Sequence, residues 1–284
     1  LLAKVLVTPC TFLANYLFMA WLTASPPVND AGAPVVRPRI LVFVPMYQCE
    51  QRVGLVLART SPEATVADVS TAIVDENILG KPTTSSRIKT CRHLVELYGL
   101  DPSRALYRTL RALFELDPSA LPGLALVCGY GRDPQLRASF ALVKSLKHGE
   151  HLSRERVEDW LESSFPHRFS AALKQSLAQN LNAAWTASGH LEGRVRKVRT
   201  FPQPRPITVA FALFAAYLTG LRGQPLLQSD FGELVCPDPQ LIPAQLSLAS
   251  ARGLLRYKHA GGIVELDFSP LLTPAELALA DVTD

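Results

Sequence analysis

A chain of 284 residues can bury a substantial core and hold either one large domain or two small ones. Hydrophobic residues make up 48% and charged residues 19%, which excludes a disordered or fibrous polymer and leaves a folded globular protein. The net charge of +4 neither demands nor forbids an anionic partner, so the placement of charge matters more than its sum.

Residues 1–58 read as an N-terminal extension. Val5 to Ala24 is an apolar run behind a single cation, Lys4, and is interrupted by Pro9. Ser25 to Pro45 is rich in proline, glycine and alanine and holds a second short apolar run, Ile40 to Val44, with no clear helix or strand period. Three readings are open: a secretory or anchor segment, a reading frame extended upstream of a true start near Met46, or a poorly ordered extension. The second is preferred, because the chain beyond Met46 has the character of a cytoplasmic protein. The first would make the protein membrane-associated or secreted.

From residue 59 to 150 the pattern is helical. Val66, Val69, Ile73 and Leu79 carry a helix period over 63–79, closed by Gly80. The hydroxyls of Thr83 to Ser86 offer N-caps for a second helix reaching Tyr98, with a core face of Ile88, Cys91, Leu94, Val95 and Tyr98 and a stop at Gly99. Asp101-Pro102-Ser103 caps a third helix to Leu116. Further helices are expected over 121–130 and from Asp133-Pro134.

Residues 151–270 form a second helical segment. Ser153 caps a helix to Ser163, which Phe165-Pro166-His167 breaks. Ser170 opens a longer one to Ser188, with Leu173, Leu177, Leu181 and Trp185 at steps of four, and Gly189 stops it. Arg194 to Arg199 reads partly as a strand, and Pro202, Pro204 and Pro206 form a rigid break. Ile207 to Leu221 is strongly apolar but shorter than the ~20 residues a bilayer needs, so a buried core helix is expected. Helices over 226–234 and 239–252 lead to strands at 254–258 and 263–268 around His259-Ala260-Gly261-Gly262, a hairpin signal. Three helices and a hairpin is the order of a winged helix. The expected fold class is mainly α, with helix-turn-helix and winged-helix units, short β-hairpin wings and a C-terminal tail over 271–284.

Charge is concentrated in two places. Gly193 to Arg205 carries Arg194, Arg196, Lys197, Arg199 and Arg205 with no acid. Lys81 to Arg111 carries Lys81, Arg87, Lys89, Arg92, Arg104, Arg108 and Arg111 against Glu96 and Asp101 alone. Such excess suits phosphate, or is simply a solvated basic surface.

Within the second stretch, Asn77 to Arg87 joins a helix, a glycine-containing turn and a hydroxyl-started helix, the layout of a helix-turn-helix. The second helix of that motif enters the major groove by its N-terminal part. On a helical wheel Ser85, Ser86, Lys89, Arg92 and His93 lie opposite the core face, while Arg87 falls nearer the core and suits the turn. Hydroxyls and a helix N-terminus suit phosphates; lysine and arginine suit phosphates or guanine edges. The alternative is an ordinary helical hairpin with a wet, basic face. In the Arg-rich stretch, strand alternation would let Arg194, Arg196 and Arg199 reach a phosphate or a minor groove. The alternative there is a charged edge strand that discourages aggregation. Arg256, Lys258 and His259 of the terminal hairpin suit packing better than binding.

Signals of catalysis are poor. No G-x-S-x-G elbow, P-loop or G-x-G-x-x-G occurs. His148 and His151 share the spacing of two metal ligands, but a glycine separates them and no third ligand is suggested. Asp101, Asp117 and Asp133 each precede proline, as capping residues do. Cys10, Cys49, Cys91, Cys128 and Cys236 stand singly and are odd in number, which argues against zinc and disulfides and for reduced thiols. No catalytic residue, metal or cofactor is expected.

Two segments, Ile73 to Leu100 with Glu76-Asn77-Ile78-Leu79, and Leu173 to Leu191 ending Trp185-Thr186-Ala187-Ser188-Gly189-His190-Leu191, carry a further signal. In pattern and layout the chain over residues 60–268 resembles the BrxA family of BREX phage-defence systems. That resemblance implies a helical, cytoplasmic DNA-binding accessory protein without catalytic activity, acting in antiviral defence beside larger proteins. It carries a DNA-contact role to Ser85, Ser86, Lys89 and Arg92, and to Arg194, Arg196 and Lys197. The expected partners are double-stranded DNA and other defence proteins, with no small-molecule substrate and no membrane. A transcriptional regulator and a helical scaffold that binds only protein are the alternatives.

Overall fold

The structure is a computed structural model that describes residues 46–260 and 263–280. The apolar run Val5 to Ala24 and the Pro-rich stretch to Pro45 lie outside the described residues. Helices α1 (Met46–Arg59), α2 (Val66–Val74), α3 (Thr84–Tyr98) and α4 (Ala105–Leu116) come first. They are followed by α5 (Leu121–Arg132), α6 (Pro134–Lys144), α7 (Arg154–Ser164) and α8 (Ala171–Ala187). A hairpin of β1 (Leu191–Glu192) and β2 (Val198–Arg199) separates these from α9 (Pro206–Leu218), α10 (Gly223–Leu227), α11 (Asp230–Val235) and α12 (Ile242–Ala251). A second hairpin, β3 (Arg256–Ala260) and β4 (Ile263–Asp267), precedes α13 (Pro274–Ala280). The fold is mainly α, 65% helical, with two small antiparallel hairpins.

Several helix starts fall where short polar side chains replace missing backbone partners. Thr83 and Ser86 cap each other at α3, Ser153 accepts the Arg156 amide at α7, and Ser170 accepts the Leu173 amide at α8. Asp133 accepts the Gln135 and Leu136 amides at α6. Each such cap contributes about 1 kcal/mol.

The centre is built from two helices with almost no polar side. On α9, every residue from Ile207 to Ala216 is buried, and on α5 every residue from Leu124 to Arg132. Alanines 210, 212, 215 and 216 keep α9 slim, so that α5, α11 and α12 pack directly against it. At the crossing with α5, a Cβ on Gly123 would lie 2.6 Å from the Thr208 methyl, so glycine is required there. Phe268, just after β4, packs on Phe214 and Tyr217 with ring centroids 5.7 and 5.1 Å away, which ties the terminal hairpin to α9. No helix among the described residues is long and apolar enough to cross a membrane.

Several expectations need correction. Residues 46–58, read as part of the extension, form most of α1, with Cys49, Val53 and Val56 buried at helical spacing. The helix expected to reach Leu79 stops at Val74, since Asn77 takes a positive φ of 54°. The helix expected over 226–234 is two, because Ser229 starts a new one by capping the Gly232 amide. Leu254 and Leu255 are buried before the strand rather than in it. The tail contains α13, whose Glu276 pairs with Arg108 on α4 at 2.5 Å.

A second aromatic cluster sits where α6, α8 and β1 meet. The Trp185 indole stacks on Phe140 and donates to the Ser139 hydroxyl at 3.0 Å. Its edge meets the His190 ring, 4.9 Å away. Burial, with the nearby Arg199 cation as a lesser cause, pushes the His190 imidazole down to about 3. The folded state therefore rejects a proton that the unfolded chain accepts near 6.5. The stability this neutral ring supplies is intact above pH 6.5 and is lost as pH falls toward 3. Melting temperature should decline on acidification through that window, and the His190→Gln variant should decline less steeply even if it starts lower. Parallel wild-type and variant profiles in calorimetry would contradict the assignment.

Candidate nucleic-acid interface

The local sequence fixes α3 at its N-terminus first. Thr83 is extended, its hydroxyl accepts the Ser86 amide at 3.2 Å, and the Ser86 hydroxyl accepts the Thr83 amide at 3.4 Å while donating to the Thr83 carbonyl at 2.7 Å. Ser86 is thus half-buried and occupied with the cap. Ser85 stays exposed.

Behind α3, Thr90, Cys91, His93, Leu94, Leu97 and Tyr98 are buried, and the helix packs on α1, α2 and α5. Two assignments from the helical wheel are therefore corrected. His93, expected on the polar face, is buried, and burial together with the cations of Lys89, Arg92 and Arg52 pushes its imidazole down to about 4. Ile88, expected in the core, is 54% exposed. Ser85, Ile88, Lys89 and Arg92 then form one exposed stripe at i, i+3, i+4 and i+7. Lys89 has no ion-pair partner among the described residues. Arg92 lies 4.0 Å from Glu96 with its side chain 57% exposed, a surface contact contributing ~0–1 kcal/mol.

The connection from α2 to α3, residues 75–83, is held by side chains bonded to backbone. The Asn77 amide brackets Lys81, accepting its N–H at 2.7 Å and donating to its carbonyl at 3.1 Å. Arg87 donates from Nε to the Lys81 carbonyl at 3.3 Å and from Nη1 to the Val74 carbonyl at 3.1 Å. Arg59 donates to the Ile78 carbonyl. Arg87 thus serves the turn, as its position near the core face suggests.

The Arg-rich stretch folds otherwise than expected. Only Val198 and Arg199 are strand, paired with Glu192 and Leu191; residues 193–197 form the loop of the hairpin, so strand alternation does not govern Arg194 and Arg196. Gly193 has a φ of 95°, and a Cβ there would collide with the Arg196 carbonyl oxygen. The other edge of β2 is also bonded. The Arg199 amide donates to the Glu150 carbonyl, and the Gly149 and Leu152 amides donate to the Arg199 and Lys197 carbonyls, at 2.8, 2.8 and 2.9 Å.

Arg199 is withdrawn from the interface. It is buried, its guanidinium donates to the His190 and Thr200 carbonyls at 3.1 and 2.5 Å, and it lies over the Phe201 ring. Lys197 is half-buried and donates to the Gly193 carbonyl at 2.6 Å. Arg194 and Arg196 are exposed, with no ion-pair partner among the described residues. Arg205 is engaged with Asp117 at 2.8 Å. In the terminal hairpin Arg256 pairs with Asp267 and Lys258 with Glu265 across the strands, at 3.2 and 3.4 Å.

A cleft of about 590 Å³ adjoins the first hairpin, lined by Ser119, Thr186, Gly193, Phe201, Gln203 and Arg205 among others. His148 stacks on Phe201 and His151 joins β2 through a backbone bridge to Val198. Burial pushes the thiols of Cys49 and Cys128 up to about 12 and that of Cys236 up to about 11, so all three are protonated and inert at neutral pH. No protein-family model, curated protein or solved structure matches this chain.

Arg87→Ala should loosen the connection without touching the exposed stripe. We expect a loss of ~1–3 kcal/mol in denaturant unfolding, since two carbonyls lose a charged donor, and faster amide exchange over residues 75–83. An unchanged unfolding midpoint would show that the Asn77 and Arg59 bonds hold the turn without it.

Proposed function

We propose that this chain binds double-stranded DNA without performing chemistry on it. In this reading α2, the 75–83 connection and α3 work as a helix-turn-helix, and the β1–β2 loop is a basic wing. The observation that carries it is the exposed stripe of Ser85, Ile88, Lys89 and Arg92 on a helix whose other side is fixed by three neighbours. An inserted helix needs such a face. Ser85 and the helix N-terminus meet a phosphate, Lys89 and Arg92 meet phosphates or guanine edges, and Ile88 offers an apolar contact to a thymine methyl. Arg194 and Arg196 add phosphate contacts from the hairpin loop.

The connection is longer than the three or four residues of the compact motif, and its Asn77 and Arg87 bonds take over the rigidity that shortness normally supplies. Four helices, α9 to α12, precede β3–β4, one more than the three of a winged helix. The paired cations of that second hairpin suit packing, so it is left out of the interface.

The resemblance to BrxA supports a place for this DNA binding in BREX-type antiviral defence, as a cytoplasmic accessory beside other defence proteins. A transcriptional regulator would use the same surface, and the neighbouring genes separate the two.

The test is a titration of the chain on random duplex DNA at two salt concentrations. Micromolar or tighter affinity that falls steeply with salt is expected. Replacing Lys89 and Arg92 together with alanine should weaken binding roughly tenfold and reduce the slope of log affinity against log salt by about 0.9 per lost phosphate contact. Unchanged affinity would remove α3 from the interface. The absence of salt-sensitive binding in the wild type would favour a helical scaffold that binds only protein.

A further inference from the structure

Val195 is 93% exposed, the most exposed of the large hydrophobic side chains among the described residues. It stands in the β1–β2 loop between Arg194 and Arg196, both exposed. Nothing in the described fold covers it. Two features make this loop more than a frayed turn. Its base is locked by the hydrogen bonds on both edges of β2 and by the buried Arg199. Its closure depends on Gly193 and on the bond from Lys197 to the Gly193 carbonyl. The result is a narrow, stiff stalk that carries one branched apolar group between two cations.

We infer that this tip enters the minor groove of duplex DNA, with Val195 as an apolar wedge against the base-pair edges and Arg194 and Arg196 along the groove or on its flanking phosphates. The inference rests on the DNA-binding reading above and adds the groove, the wedge residue and the class of sequence preferred. The chemistry argues for it in three steps. A groove about 6 Å wide admits a hairpin loop bearing small side chains but not a helix. At A·T pairs its floor carries the adenine N3 and thymine O2 acceptors beside the adenine C2–H and is sterically open, while the 2-amino group of guanine projects into it at G·C pairs. Narrow A·T-rich minor grooves also concentrate negative potential, which draws arginine, and apolar side chains placed at their base steps unstack them and kink the duplex. A lone valine with two arginines is too little apolar surface to hold a lipid bilayer.

The experiment uses the full chain and three end-labelled duplexes of one length: A·T-rich, G·C-rich, and the G·C-rich sequence with inosine replacing guanine. Inosine removes the 2-amino group and leaves the major-groove pattern of guanine nearly intact. Affinity is read by anisotropy and bending by energy transfer between the ends. The wild type should prefer the A·T and inosine duplexes to the G·C duplex by roughly tenfold and bend them. Val195→Ser should lose the preference and the bend, while Val195→Leu keeps both. The position is exposed enough that neither variant should alter the circular dichroism.

DNA binding with equal affinity for all three duplexes, or a serine variant that still bends the A·T duplex, would overturn the inference and leave the DNA-binding reading standing. A wild type with no salt-sensitive affinity for any duplex would overturn both. Salt-sensitive association of the wild type with phosphatidylserine vesicles, lost in Val195→Ser while duplex affinity is unchanged, would assign the tip to a membrane surface instead.

Discussion

Helices α5 and α9 bury every residue from Leu124 to Arg132 and from Ile207 to Ala216, so both must be covered nearly all round, and that requirement places the helices that pack on them. Their approach is close because Gly123 meets Thr208 with no room for a Cβ. Around the pair lie amphipathic helices with one face to spend: α3 on α5, α11 and α12 on α9, and α4 against both. The second hairpin joins through Phe268 in the aromatic cluster of α9. A continuous body of buried side chains runs from Cys49 to Phe268. Surfaces suited to binding are what remains on the outward faces of the covering layer.

Arginine does much of the joining within that layer. Arg111, buried on α4, donates to the Leu57 carbonyl at 3.0 Å and to the Thr60 hydroxyl at 3.1 Å, which fixes the end of α1. Arg132 donates to the Glu96 carbonyl at 3.1 Å, at the C-terminal end of α3 where unpaired carbonyls and the helix dipole favour a cation. Arg87 and Arg199 do the same for a connection and a strand. The fork of the guanidinium suits this role, because it can satisfy two carbonyls that belong to different segments.

That habit explains what the sequence conveys and what it conceals. The helices that start on a serine, threonine or aspartate cap are legible from those residues, and α3, α8, α9 and α12 also from a glycine just past their ends, whereas α4, α5, α9, α10 and α12 start without a side-chain cap. The buried character of α9 is legible from its composition alone. The basic stretches mislead as sums: of the cations between Lys81 and Arg111, Arg87 and Arg111 are structural staples, and Arg104 and Arg108 have acidic partners at 3.5 and 2.5 Å. A count of charge along the chain cannot tell a guanidinium bonded to carbonyls from one facing solvent. The wheel of α3 fails at Ile88 and His93 for a related reason. Three neighbouring helices widen the buried arc and rotate it, and single-helix periodicity contains no information about neighbours. α1 escapes a reading by pattern because its own period, Cys49, Val53 and Val56, follows closely on another apolar run in the sequence, Ile40 to Val44.

Strand β2 of the first hairpin is bonded on both edges although each strand there is only two residues long. A loop of that size in a free ribbon would sample many shapes and would have to surrender them on contact. Here that entropy is already lost on folding, through the 149–152 segment that lies along β2 and the buried Arg199 beneath it. Any partner of the loop meets a shape fixed in advance. Association then behaves as a docking of rigid bodies, in which surface complementarity governs the lifetime of the complex and little is gained or lost by rearrangement after encounter.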